Sequence, residues 1–169
     1  MTVNTPSQRP PDPEELEGIL PSHPRSAARQ LAMQLLYQLD VQRGENLDQV
    51  ERFLLEHARD AKTRSLAAQW SREAWRNIAA LDEHIRQTAT NWNLMRISAV
   101  DRAILRLSVY HLLYCPDIPP KVVINEGLEL AKRFSTAQAP GFINGVLDAM
   151  RRRLHPDAAG GEPEVQSTD

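Results

Sequence analysis

Cysteine is nearly absent: Cys115 is the only one in 169 residues, which excludes an internal disulfide and a cysteine metal cluster. Long apolar runs are missing too, and none approaches the ~20 residues of a membrane span. The N-terminal MTVNTPSQRPPDPEELEG has neither the basic start nor the apolar stretch of a secretory signal, so a cytoplasmic protein is expected. Glycine-rich phosphate loops, Walker sequences and dinucleotide fingerprints do not occur. The histidines His23, His57, His84, His111 and His155 are scattered and form no HExxH pair. Asp82-Glu83-His84 is a local acid cluster that reads as a solvated helix face rather than a metal site. Cys115 precedes Pro116 at a helix end and reads as an idle thiol, since no His–acid pair is arranged for it. No catalytic residue, metal or cofactor is expected.

What is present is helical period. Leu31, Leu35, Leu36 and Leu39 mark a first helix over residues 26–43, stopped by Gly44. A second, over 47–59, buries Val50, Phe53, Leu54 and, at its margin, Leu55. Residues 62–91 are periodic throughout (Leu66, Trp70, Ile78, Leu81, Ile85), which is long for one helix, so a break near Leu81-Asp82 is expected. Ser98 to Asp101 form a capping box, the acid reaching back to the cap. The helix it opens, to Tyr114, is apolar on most faces and belongs at the centre of a bundle. Pro119-Pro120 launches the next, to Phe134, with Glu129 placed to pair with Arg133. A last helix spans 140–154. No strand alternates convincingly. The expected fold is all-α, a compact bundle of about seven helices.

Charge is distributed unevenly. Residues 1–23 carry −3 and residues 156–169 carry −4, while the body between holds 19 basic and 14 acidic residues. Both tails are proline-rich or acidic without periodicity and are expected to be disordered. Sixteen of the body's 19 basic residues are arginine, which contacts phosphate bidentately and stacks on bases. A basic, arginine-biased body between acidic tails points to nucleic acid; codon bias towards arginine is the competing explanation.

On the first helix Arg25, Arg29, Met33 and Tyr37 recur every four residues, with Gln30 and Gln34 beside them. Guanidiniums, amides and an aromatic ring on one stripe suit single-stranded RNA, whose unstacked bases lie on aromatic faces. An ordinary solvated face with a half-buried tyrosine remains the alternative. The run PGFINGVLDAM poses a second question. Ile143, Val146, Leu147 and Met150 form a buried stripe, yet Asn144-Gly145 interrupts it with a pair common in turns. Gly145 is expected to admit a neighbouring helix closely, with Asn144 hydrogen-bonding across that contact. Phe142 is left between core plug and contact surface.

PPKVVINEGLELAKRFS followed by GFINGVLDAM resembles the C-terminal signature of the NusB transcription antitermination family. DRAILRLSVYHLL is similar to that family's central helix and RQLAMQLLYQLD to its first, so the resemblance spans residues 25–154. It implies a non-enzymatic, all-helical factor that binds boxA-type RNA as a heterodimer with NusE, a small-subunit ribosomal protein, and works with the transcription elongation complex on ribosomal RNA operons. The family's RNA surface is matched by Arg25, Arg29, Tyr37, Asp101 and Phe142. Monomer and homodimer both remain open.

The departures are specific. Ser26, Ala27 and Ala28 separate Arg25 from Arg29 where the family often has consecutive basic residues, which implies a shallower salt dependence. His111 stands where glutamate is common, and Gly127 where alanine is. Arg151, Arg152 and Arg153 are either replacement phosphate contacts or a solvated basic end suited to the helix dipole. Two other functions remain open. One is a helical adaptor without RNA binding. The other is a domain like that fronting some ribosomal RNA cytosine methyltransferases, for which the chain shows neither a methyl-donor domain nor a nucleophilic cysteine motif.

Overall fold

The computed structural model describes residues 20–44 and 48–156. Residues 1–19 and 157–169, most of the two acidic tails, lie outside the described residues, as does Leu47 at the expected start of the second helix. Among the described residues all regular structure is helical: α1 (Pro24–Val41), α2 (Gln49–His57), α3 (Ala61–Arg76), α4 (Ile78–Thr88), a 3-10 turn (Leu94–Arg96), α5 (Ala99–Tyr114), α6 (Pro120–Phe134) and α7 (Ala139–Leu154). No described helix is long and apolar enough to cross a membrane.

The boundaries follow local chemistry. His23 Nδ1 accepts from the Arg25 amide and Pro24 takes the first turn of α1, where a missing N–H costs nothing. After α1, Arg43 and Gly44 adopt positive φ and the Gly44 amide returns to the Leu39 carbonyl at 2.8 Å. A Cβ on Gly44 would meet the Trp75 ring at 3.0 Å, so glycine is required there twice over. The long periodic stretch breaks at Asn77, not near Leu81-Asp82. Asn77 closes α3 by donating from Nδ2 to the Glu73 carbonyl at 2.8 Å, and α4 starts one residue later. Ser98 does cap α5, its hydroxyl accepting from the Asp101 amide at 3.2 Å. The Asp101 carboxylate, however, accepts from Ser135 Oγ at 2.6 Å and thereby ties the start of α5 to the end of α6.

α5 is buried from Asp101 to Leu112 and lies at the centre, packed on α1, α3, α4, α6 and α7. Leu31, Leu35, Leu36 and Leu39 of α1 are buried against it as expected, together with Met33 and Trp70. Val50 and Leu54 anchor α2, whereas Leu55 is 65% exposed. Leu20 also packs on the core and is buried.

Two arginines of α5 are buried with matched acids. Arg106 donates to both carboxylate oxygens of Asp82 at 2.8 Å and lies 3.2 Å from Asp40, while Arg102 Nε donates to Asp40 at 2.8 Å. Asp82 is therefore buried and committed, which corrects its reading as a solvated acid. No cluster of three His, Cys, Asp or Glu side chains able to hold a metal occurs among the described residues.

Gly127 of α6 packs on α5. A Cβ there would come within 2.9 Å of Ser108 Oγ, which accounts for glycine in a helix interior. Glu129 pairs with Lys132 at 3.2 Å, and the Arg133 guanidinium lies over the Phe134 ring.

Candidate nucleic-acid interface

The stripe on α1 is not an open face. Arg29 is 4% exposed, Gln30 0%, Gln34 4% and Tyr37 9%. Helical spacing placed them together correctly, but α3, α5 and α6 cover them. The Arg29 guanidinium lies over the Trp70 ring of α3, 5.6 Å from its centroid, and 3.6 Å from Glu126 of α6. Ser26 Oγ donates to the same Glu126 carboxylate at 3.2 Å. Burial pulls the Arg29 pKa down and Glu126 opposes that effect; an arginine keeps its charge regardless.

His111 of α5 packs edge-on against Trp70 with ring centroids 4.5 Å apart. Burial first, then the charges of Arg29 and Arg25, push its pKa down to about 3. It is neutral at physiological pH. The side-chain amides of Gln30 and Gln34 have no hydrogen-bond partner among the described residues. An orphaned buried polar group costs about 1–3 kcal/mol, so this wall is polar beyond what the core requires.

Other sequence-selected residues reach solvent. Arg25, at the start of α1, keeps a side chain 42% exposed and lies 3.9 Å from Asp117. Phe142, in the first turn of α7, is half-buried and faces Trp92 with centroids 4.8 Å apart. Asp101, by contrast, is buried, and its carboxylate accepts from Ser135 Oγ at the end of α6. The three arginines ending α7 are engaged. Arg151 and Arg152 pair with Asp148 at 2.8 and 2.9 Å, and Arg153 reaches Gln87 and His84 of α4.

PGFINGVLDAM is half as expected. Ile143, Val146, Leu147 and Met150 are buried. Gly145 admits no neighbouring helix, because nothing lies within 4 Å of where its Cβ would be, and Asn144 is exposed. The close helix packing expected at Gly145 does not occur, whereas that which would offset a glycine at Gly127 does.

Trp92 is 59% exposed, at a position that helical period does not single out. Its signal was an aromatic residue within the polar run Asn91-Trp92-Asn93. Its loop is fixed: the Trp92 amide donates to the Ala89 carbonyl at 3.1 Å, and Arg102 Nη1 donates to the Leu94 and Ile97 carbonyls at 3.3 and 3.0 Å.

The comparisons with known proteins agree over the helical body. The NusB family model matches residues 26–152. A transcription antitermination protein NusB from Geotalea uraniireducens is 40% identical over 141 residues, covering 79% of this chain and 97% of that one. The NusB of Syntrophus aciditrophicus is 35% identical over 131 residues, covering 78% and 81%. Among solved structures, T. maritima NusB superposes with a TM-score of 0.69 at 35% identity, covering 77% of this chain and 92% of that one. A crystal structure of the antitermination factors NusB and NusE in complex with double-stranded RNA gives 0.70 at 27% identity, covering 79% and 99%.

Proposed function

The chain belongs to the NusB family, and from that premise we propose that it binds boxA-type single-stranded RNA as a heterodimer with NusE. In this role it joins the transcription elongation complex and supports transcription of ribosomal RNA operons in the cytoplasm. Like the family's other antitermination factors it is a non-enzymatic adaptor. The observation that carries the reading is the family match across residues 26–152. The NusB–NusE–RNA complex among its structural neighbours supports both partners.

The RNA surface is proposed to run from Arg25 to Phe142. Arg25 meets phosphate and Phe142 meets a base, while Arg29, Gln30, Gln34, Tyr37 and Asp101 build the wall beneath. Burial of that wall favours one competing reading, an adaptor that contacts protein alone. An electrophoretic shift separates the two, using a single-stranded boxA RNA and its duplex, each with and without NusE. Retardation of the single strand, strengthened by NusE and weakened by Arg25→Ala with Phe142→Ala, is expected. A NusE complex that leaves both RNAs unshifted at low salt would establish the adaptor instead.

A further inference from the structure

A cleft of about 290 Å³ opens between the end of α4, the loop after it and the first two turns of α7. Trp92, Phe142, Gly141, Gly145, Thr90 and Asn91 are among the residues that line it. We propose that this cleft is a binding slot for one unstacked nucleobase, with Trp92 as its stacking platform; the proposal rests on the RNA-binding reading above and adds a subsite to it.

Four observations point to a flat, polar-edged ligand. First, the Trp92 and Phe142 rings are inclined at 56° rather than stacked on each other. Phe142 packs against the core, and Trp92 is the ring with exposed area left for a third ring. Second, Trp92 is 59% exposed on a loop that two hydrogen bonds from Arg102 hold in place. An exposed indole on an anchored loop is preorganised, so little ordering opposes stacking.

Third, Gly141 and Gly145 sit one turn apart on α7, and neither has an atom within 4 Å of its would-be Cβ. Glycine is poorly suited to a helix, and no packing in the fold demands it at either position. Its effect is an open backbone wall that any larger side chain would fill. Fourth, α7 has no side-chain cap and no acidic residue in its first turn. Ala139 and Phe142 donate to the Thr136 and Gln138 carbonyls and Pro140 carries no N–H, so the Gly141 amide, in a residue that lines the cleft, is the first-turn donor left to meet a base edge.

Size decides against larger occupants. Pockets for drug-sized ligands run from roughly 300 to 1,000 Å³, which leaves this one room for a single nucleotide. The exposed Asn91 amide offers a donor and an acceptor to a base edge.

The test uses the full chain with NusE and a 12-nucleotide single-stranded boxA RNA. Gly145→Leu puts a side chain where a Cβ meets no atom within 4 Å, and is expected to keep the wild-type melting temperature or raise it. Both Gly145→Leu and Trp92→Ala should weaken RNA binding about tenfold, the scale of one lost base stack. Trp92→Phe should recover most of it. The salt dependence should stay unchanged, because no phosphate contact is removed.

Wild-type binding with undiminished affinity in both variants would overturn the cleft while leaving the RNA function intact. Loss of NusE binding with RNA affinity retained would assign the cleft to protein. No RNA binding by the unchanged chain would overturn the functional reading, and the cleft with it.

Discussion

Arg106 grips Asp82 through two parallel hydrogen bonds of 2.8 Å, joining the central helix to α4 inside the bundle. Removing one member leaves the other charged and dry, a change worth about 3–5 kcal/mol in comparable buried pairs. Asp82→Ala should therefore lower stability by about 3 kcal/mol in urea denaturation, moderated by the second acid, Asp40, 3.2 Å from Arg106. The paired replacement Asp82→Leu with Arg106→Met should be less damaging than Asp82→Ala alone, because no orphaned charge remains. A double replacement costing as much as the single one would show that packing, not charge, sets the penalty.

His111 makes the fold sensitive to mild acid. Its folded pKa is pushed down to about 3 from an ordinary value of 6.5, chiefly by burial. The unfolded chain therefore takes up a proton that the folded chain refuses. This contribution is present in full above pH 6.5 and declines as pH falls from there towards 3. The slope is about 1.4 kcal/mol per pH unit, or roughly 2 kcal/mol lost by pH 5. Urea titrations at pH 7.5 and 5 should show that loss in the wild type and little of it in His111→Gln.

Gly127 and Ser108 are coupled across α6 and α5. Alanine at 127 gains helix propensity of about 0.5–1 kcal/mol, but its Cβ would lie 2.9 Å from Ser108 Oγ. Shifting that hydroxyl in a packed interior opposes the gain. Gly127→Ala should consequently be at least 0.5 kcal/mol more favourable in a Ser108→Ala background than alone. Additive effects in the double-mutant cycle would show that the two helices yield freely there.

These pairs also show what can be read from a single chain. The leucines of α1, the cap at Ser98 and the prolines launching α6 act through neighbours a few residues away, so the helices were legible nearly end to end. The break at Asn77 was not, because the apolar period runs past it and points to Leu81-Asp82 instead, although asparagine is a capping residue. What period cannot supply is the covering element. Arg25, Arg29, Met33 and Tyr37 share a stripe, as their spacing requires. Their burial comes from Trp70, His111 and Glu126, which lie far along the chain. Asp82 looked solvated because its arginine stands 24 residues away. Gly127 and Gly145 look alike in sequence; only the neighbour at one and the open space at the other distinguish them.

Arg25 gives the sharpest prediction for the RNA surface, because it can be changed without disturbing the core. Its side chain is 42% exposed and its acidic neighbour, Asp117, is 3.9 Å away and 70% exposed. So open a pair is worth well under 1 kcal/mol to the fold, and Arg25→Gln should leave the melting curve unchanged. If Arg25 meets a phosphate, each such contact on a single strand contributes about 0.7 to the slope of log affinity against log salt. Binding measured over about a fourfold range of salt, roughly 50 to 200 mM, should show that slope reduced by about 0.7 in Arg25→Gln. Asp117→Asn should act in the opposite direction at low salt, since the guanidinium would no longer be shared with a carboxylate. An unchanged slope in Arg25→Gln would remove Arg25 from the RNA surface and leave Phe142 and its surroundings to carry it.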